Sequence, residues 1–186
     1  MKLNVKERGD HVATYRWICV RLMEMLAAWV PTTPEMEVKL AFGSHLWDMA
    51  QHADSFGKRT HELRLPLQHS VAPTQAYVAF VEEVAALQAT EQRVSAFYDC
   101  LVPSLGRRYS SYLKQVDPLL DGPTVRILQH VKLDLERIGT EHHLLLEELP
   151  NIQVADSKWL AAMQHRELAL GDVVVAQSAS AASAAV

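Results

Sequence analysis

The stretch VKLAFGSHLWDMAQHADSFGKRTHEL (Val38–Leu63) decides the fold. Val38, Phe42, Met49 and Phe56 recur at spacings of four and seven residues. That period lines up side chains on one face of an α-helix. No proline interrupts it. His45 and His52 fall inside the apolar face, and Asp48 lies at its edge, three residues from one imidazole and four from the other. Such spacings put the three side chains on adjacent turns. A helix of this kind must bury its face against other helices. A buried imidazole or carboxylate then costs several kcal/mol, of order 3–5 when left unpaired, unless a partner or a cation compensates it. The stretch therefore predicts a helical bundle with a polar cluster in its interior.

The same period extends to both sides. Residues 10–30 read as a helix stopped by Pro31, with Ile18, Leu22, Met25, Leu26 and Trp29 inward. Tyr15 is the only polar group on that inner face, and Glu24 points away. Thr33 is expected to cap the next helix, with Pro34 at its first position. That helix should run to about residue 63 and give way to a loop at Leu65-Pro66. A short helix over 74–87 leads into a longer one over 89–116, in which Pro103 should produce a kink. Its inward side carries Leu87, Val94, Leu101, Leu105 and Val116, interrupted by Glu91, Tyr98, Tyr109 and Tyr112. DPLLDGP (Asp117–Pro123) is a dense turn signal. The helix after it, 123–148, has Leu128, Val131, Leu135, Ile138 and Leu145 inward, joined by His142 and flanked by Asp134 and Glu141. Asp156 can cap a last helix ending near residue 170.

The expected class is all-α, an antiparallel four-helix bundle with a short extra helix before the third helix and one C-terminal helix. Short links between the first two and the last two bundle helices require antiparallel neighbours. Residues 1–9 read as a charged arm, 10–170 as the bundle, and 171–186 as a disordered Ala/Ser-rich tail.

The chain has 186 residues, with 49% apolar and 22% charged side chains, which suits one domain with a full core. A net charge of −4 gives no basic face for nucleic acid. No apolar run approaches the ~20 residues of a membrane span. The N-terminus lacks the apolar segment of a secretory signal. Cys19 and Cys100 form no CxxC pair and read as reduced, buried thiols. The expectation is a cytoplasmic protein with no nucleic-acid or membrane partner. Homodimerisation is expected if a spare helix face is buried, with Trp17 as one candidate contact.

His45, Asp48, His52, Glu91, Asp134 and Glu141 all need an explanation on or beside apolar faces. One is a metal ion, because bundle carboxylate centres use inward Glu, Asp and His spaced three or four residues apart on facing helices. Each residue also has an ordinary reading. The imidazoles can be satisfied core residues. Asp134, Arg137 and Glu141 can form a surface salt-bridge ladder. Glu91 can pair with Arg93 or Arg137, or lie at a frayed helix start. The tyrosines can be core residues with a wet tip. At ~1.5 Å per residue, Glu91 and Asp134 lie roughly 20 Å apart along the bundle and cannot share an ion, whereas Glu91 with Glu141 or His142 stays open.

HLWDMAQHAD (His45–Asp54), THELRLP (Thr60–Pro66), DPLLDGPTVRIL (Asp117–Leu128) and LDLERIG (Leu133–Gly139), in this order and spacing, resemble small bacterial ferritin-like proteins. The resemblance implies a four-helix ferritin-like bundle. Many members of that superfamily hold two iron or manganese ions through Glu-x-x-His pairs for redox or oxygen chemistry. This sequence departs from that pattern. The core-facing residues at Glu-x-x-His spacing within Leu133–Gly139 are Leu135 and Ile138, which cannot ligate. Asp48 is followed at the third place by Gln51, and the first helix offers no inward carboxylate.

Two routes follow. A single iron or manganese ion could sit on His45, Asp48 and His52 with one carboxylate from another helix, among Glu91, Asp134 and Glu141. The product would be a metal-dependent oxidoreductase on a small molecule, with Tyr98 donating a hydrogen bond to bound oxygen species. Or the site is degenerate and metal-free, with Arg137 supplying the positive charge. The alternative class is a non-enzymatic accessory or interaction bundle. A third reading is a DinB-like bundle with one metal on three histidines, drawn from His45 or His52 and His130 or His142, although Asp134 stands where the paired histidine of the last helix would be. No Gly-rich phosphate loop, nucleophile elbow or HExxH motif appears.

Overall fold

The computed structural model of the chain describes residues 2–148 and 155–177. Among them every regular element is helical and no strand occurs. The order is α1 (Val5–Trp29), a 3-10 turn (Val30–Thr32), α2 (Met36–Glu62), α3 (Gln75–Ala85), α4 (Thr90–Ser95), a π turn (Ala96–Leu101), α5 (Val102–Gln115), α6 (Gly122–Glu148) and α7 (Ser157–Ala169).

α1 starts earlier than its apolar period implies, because Asn4 caps it. The Asn4 side chain accepts from the Glu7 N–H, and the Glu7 carboxylate accepts from the Asn4 N–H. This reciprocal box satisfies two donors that a helix start leaves open. Residues 5–9 are thus helix rather than an arm, and Arg8 is buried with its guanidinium donating to the carbonyls of Leu3 and Leu120. Thr33 does not cap α2. Its hydroxyl donates to the Trp29 carbonyl and accepts from Arg93, while Glu35 occupies the N-cap without a side-chain bond.

Residue pairs fix the directions of the helices. Trp29 packs on Phe42 and Tyr15 on Phe56, so α1 and α2 run antiparallel. His45 meets Glu141 and Arg59 meets Thr124, so α2 and α6 do too. His11 against Tyr112 and Cys19 against Tyr109 set α5 antiparallel to α1. The turn between α5 and α6 is tied to α2 through Asp121, which is fully buried. Its carboxylate accepts from Arg59, Thr124 and the Tyr112 phenol. Between these helices lies one apolar core rich in aromatic rings. Each fully buried Leu, Ile or Phe in it contributes about 1.5–3 kcal/mol.

The expected kink at Pro103 is a π turn. Pro103 has no N–H, and its ring would strike the carbonyl of Asp99, four residues earlier, in a regular helix. Widening the preceding turn relieves that contact while the backbone stays helical on both sides. The Asp99 carbonyl accepts instead from Gln164 Nε2 on α7, at 2.8 Å.

α7 begins as its sequence implies, with Asp156 accepting from the N–H groups of Lys158 and Trp159. Its Glu167 is buried and held by Ser104, Arg107 and Arg108 of α5. The chain then returns across the bundle. Val173 is 1% exposed and its carbonyl accepts from Thr74 N–H, while the Gln177 N–H donates to Asp10. Within 171–177 Val173 is thus docked on the bundle, where the sequence suggested a disordered tail, while residues 171, 172 and 175–177 are exposed; 178–186 lie outside the described residues.

Cys19 and Cys100 form no disulfide and are buried, and burial pushes both thiols up to about 12. Trp17 is half-buried against the core, whereas Trp47, with Met36 and Leu40, is exposed on α2. No helix among the described residues is long and apolar enough to cross a membrane.

Candidate functional site

α2 brings His45, Asp48 and His52 to its border with α6, which presents Asp134, Arg137 and Glu141. They meet in three rungs. His45 Nε2 lies 2.8 Å from Glu141 Oε2. Arg137 Nη2 donates to Asp48 Oδ1 at 2.8 Å. His52 Nε2 lies 2.9 Å from Asp134 Oδ2. Arg137 also joins the rungs along α6, donating through Nη1 to Glu141 at 3.0 Å and standing 3.6 Å from Asp134. The imidazoles are buried at 1% and 3% exposure, and the α6 groups sit at the rim.

The second partner of His45 is Tyr98, in the π turn, whose hydroxyl is 2.8 Å from Nδ1. Burial raises the phenol well above its ordinary value, so it keeps its proton and donates it to Nδ1. Nε2 then carries the imidazole proton and donates to Glu141. Burial lowers His45 below the usual histidine value, against the raising effect of the Glu141 bond. Glu141 is held low by its bond to His45 and next by Arg137. Arg137 is raised by its bonds to Asp48 and Glu141. The rung is a neutral imidazole between a protonated phenol and an ionised carboxylate, with every ring nitrogen satisfied. His52 is lowered by burial too, but its Nδ1 has no partner, and neither does Asp48 Oδ2.

These donors do not fit a resident metal. His45 and His52 are seven residues apart, which is ~10 Å along the helix axis, so one ion cannot reach both. Each Nε2 is turned to a different α6 carboxylate. The carboxylates that a cation would draw together already share Arg137. Glu91, in the first turn of α4, joins none of these bonds, and His130 is exposed. Among the described residues no three His, Cys, Asp or Glu side chains converge so as to hold an ion. Neither the one-ion set nor the three-histidine set is assembled.

Tyr98, expected as a donor to a bound molecule, spends its hydrogen on His45. Its ring stacks on His142 at 4.4 Å and 6°, and His142 Nε2 lies 3.3 Å from Asp99. The sequence signals His142 as a polar member of an apolar stripe. It does not signal Asp99, which the π turn carries to that position. The whole assembly can hold charge, orient buried rings and connect the rim to the interior through Glu141, His45 and Tyr98.

No family model, curated protein or solved structure matches the chain.

Proposed function

We propose that this chain is a ferritin-like four-helix bundle, formed by α1, α2, the α4–α5 helix and α6, in which the guanidinium of Arg137 takes the place of a metal ion. It acts as a non-enzymatic binding or accessory protein rather than as a metal-dependent oxidoreductase. One observation carries this reading. Arg137 bonds Asp48 and Glu141 and faces Asp134, so a single fixed cation serves the acidic groups of two helices. A guanidinium matches carboxylates in a planar fork and needs no exchangeable ligand. The antiparallel pairing of α2 with both α1 and α6 agrees with the bundle implied by the sequence resemblance.

Protein purified without chelator and then offered Fe(II), Mn(II) or Zn(II) should retain less than about a tenth of an ion per chain and show no metal-dependent rise in melting temperature. One ion per chain, with a melting shift that His52→Leu abolishes, would overturn the proposal in favour of a metal-centred oxidoreductase.

A further inference from the structure

On the side of α6 away from the ladder, α5 and α6 part to leave an open cleft of ≈ 850 Å³. Pockets of about 300–1,000 Å³ hold small organic ligands. Its lining changes character along its length. At the π-turn end lie Tyr98, Asp99 and His142; the middle is floored by Val102, Gly106, Leu135 and Gly139, with Arg107 and the carboxylate of Glu136 also on its walls; the far end carries Ser110, Ser111, Lys114 and Lys132. From Asp99 to Lys114 the cleft follows the end of the π turn and α5 for ~20 Å.

Three features are not explained by folding. Gly106 and Gly139 face the same cleft from the interiors of two helices, where glycine is disfavoured relative to alanine. A Cβ at either would meet nothing within 4 Å, so neither glycine is there to let helices touch. Lys114 and Lys132 have no ion-pair partner among the described residues, unlike Arg107 beside them, which is bound to Glu167. His142 is 3% exposed, yet its Nδ1 has no hydrogen-bond partner. Burying such a group unpaired is costly. The atom is closed off from solvent, so a polar ligand atom relieves it once the ring turns toward the cleft that His142 lines.

We propose that the α5–α6 cleft binds an elongated organic anion, with its acid group at Lys114 and Lys132, an apolar body over Gly106 and Gly139, and a hydrogen-bonding far end at His142. The cationic end fits a carboxylate or a phosphate monoester equally. This assignment does not depend on whether the α2–α6 ladder holds a metal.

Calorimetric titration of the full chain with dodecanoate, dodecyl phosphate, ω-hydroxydodecanoate and dodecyltrimethylammonium tests it. One saturable site for the anions is expected, with the cation at least about tenfold weaker. The better of the two plain anions identifies the acid group. The ω-hydroxy compound should bind more tightly than dodecanoate, and His142→Phe, which keeps a ring against Tyr98, should remove that difference. Lys114→Met with Lys132→Met should weaken the anions about tenfold or more. Gly139→Leu should abolish binding while leaving the melting temperature equal or higher, since the side chain enters open space on a helix. Gly106→Leu repeats this on the other wall if the first variant folds poorly. The proposal fails if no anion binds at millimolar concentration. It also fails if the cation binds equally well, or if a folded glycine variant binds as the parent does.

Discussion

His45 and His52 occupy equivalent places on one helix and differ in a single atom's surroundings. His45 has both nitrogens engaged, while His52 leaves Nδ1 buried and unpaired. The two should therefore respond oppositely to change. Tyr98→Phe takes the donor from His45 Nδ1 and should cost about 1–3 kcal/mol in urea unfolding. His52→Leu removes an unsatisfied buried group, and Asp134 keeps its place at the rim beside Arg137. The melting temperature should hold or rise, and a clear fall would show that the His52–Asp134 bond outweighs the unpaired nitrogen. The sequence revealed that these imidazoles face inward, because their positions share a period with Phe42 and Phe56. It did not reveal their partners. The distance between two helices and the direction of each ring depend on packing across the bundle, which periodicity within one helix does not encode.

Among the elements, the helix starts at Asp156 and the turn at Asp117–Pro123 were readable from local chemistry. The start of α1 was not, since residues 5–9 are too polar to display an apolar period and only the Asn4–Glu7 box sets them. Pro103 announced an irregularity, but the form it takes depends on α7. The carbonyl it displaces needs a donor, and Gln164 supplies one from sixty-five residues away. α7 is held by Glu167, a buried carboxylate under two guanidinium groups, together with buried Met163 and the Arg166–Glu83 pair. Glu167→Ala leaves the largely buried Arg108 without its carboxylate, while the half-exposed Arg107 turns to water, and should cost about 1.5–3 kcal/mol. Amide hydrogen exchange should speed up across 157–169 and 171–177 before it does in α2. Uniform acceleration over the whole chain would mean that α7 is integral to global cooperativity rather than a docked layer.

For the molecule as a whole, the ladder sets a dependence on acidity. Burial lowers both His45 and His52 from an unfolded value of 6.5. The unfolded chain therefore binds more protons at mildly acidic pH, and stability declines as pH falls below about 6.5. Glu141, lowered from 4.5, adds a second loss of the same sign below that value. Urea midpoints from pH 7.5 to 5.5 should fall, and the fall should shrink in a variant carrying His45→Gln and His52→Leu. A flat profile would show that the imidazoles are as easily protonated inside as outside. The all-helical class was legible throughout, because composition, proline placement and a helical period agree. The α5–α6 cleft was not, since a void is defined by what two distant segments fail to fill.

The two imidazole rungs also act as a ruler. Hydrocarbon surfaces of neighbouring helices tolerate sliding, because one leucine covers another nearly as well a turn away. The spacing of His45 from His52 equals that of Asp134 from Glu141, so both pairs close together only at one alignment of α6 on α2. A shift of one turn would strand both rings without an acceptor. Polar contacts of modest strength thus exclude the misaligned bundles that greasy faces alone would permit.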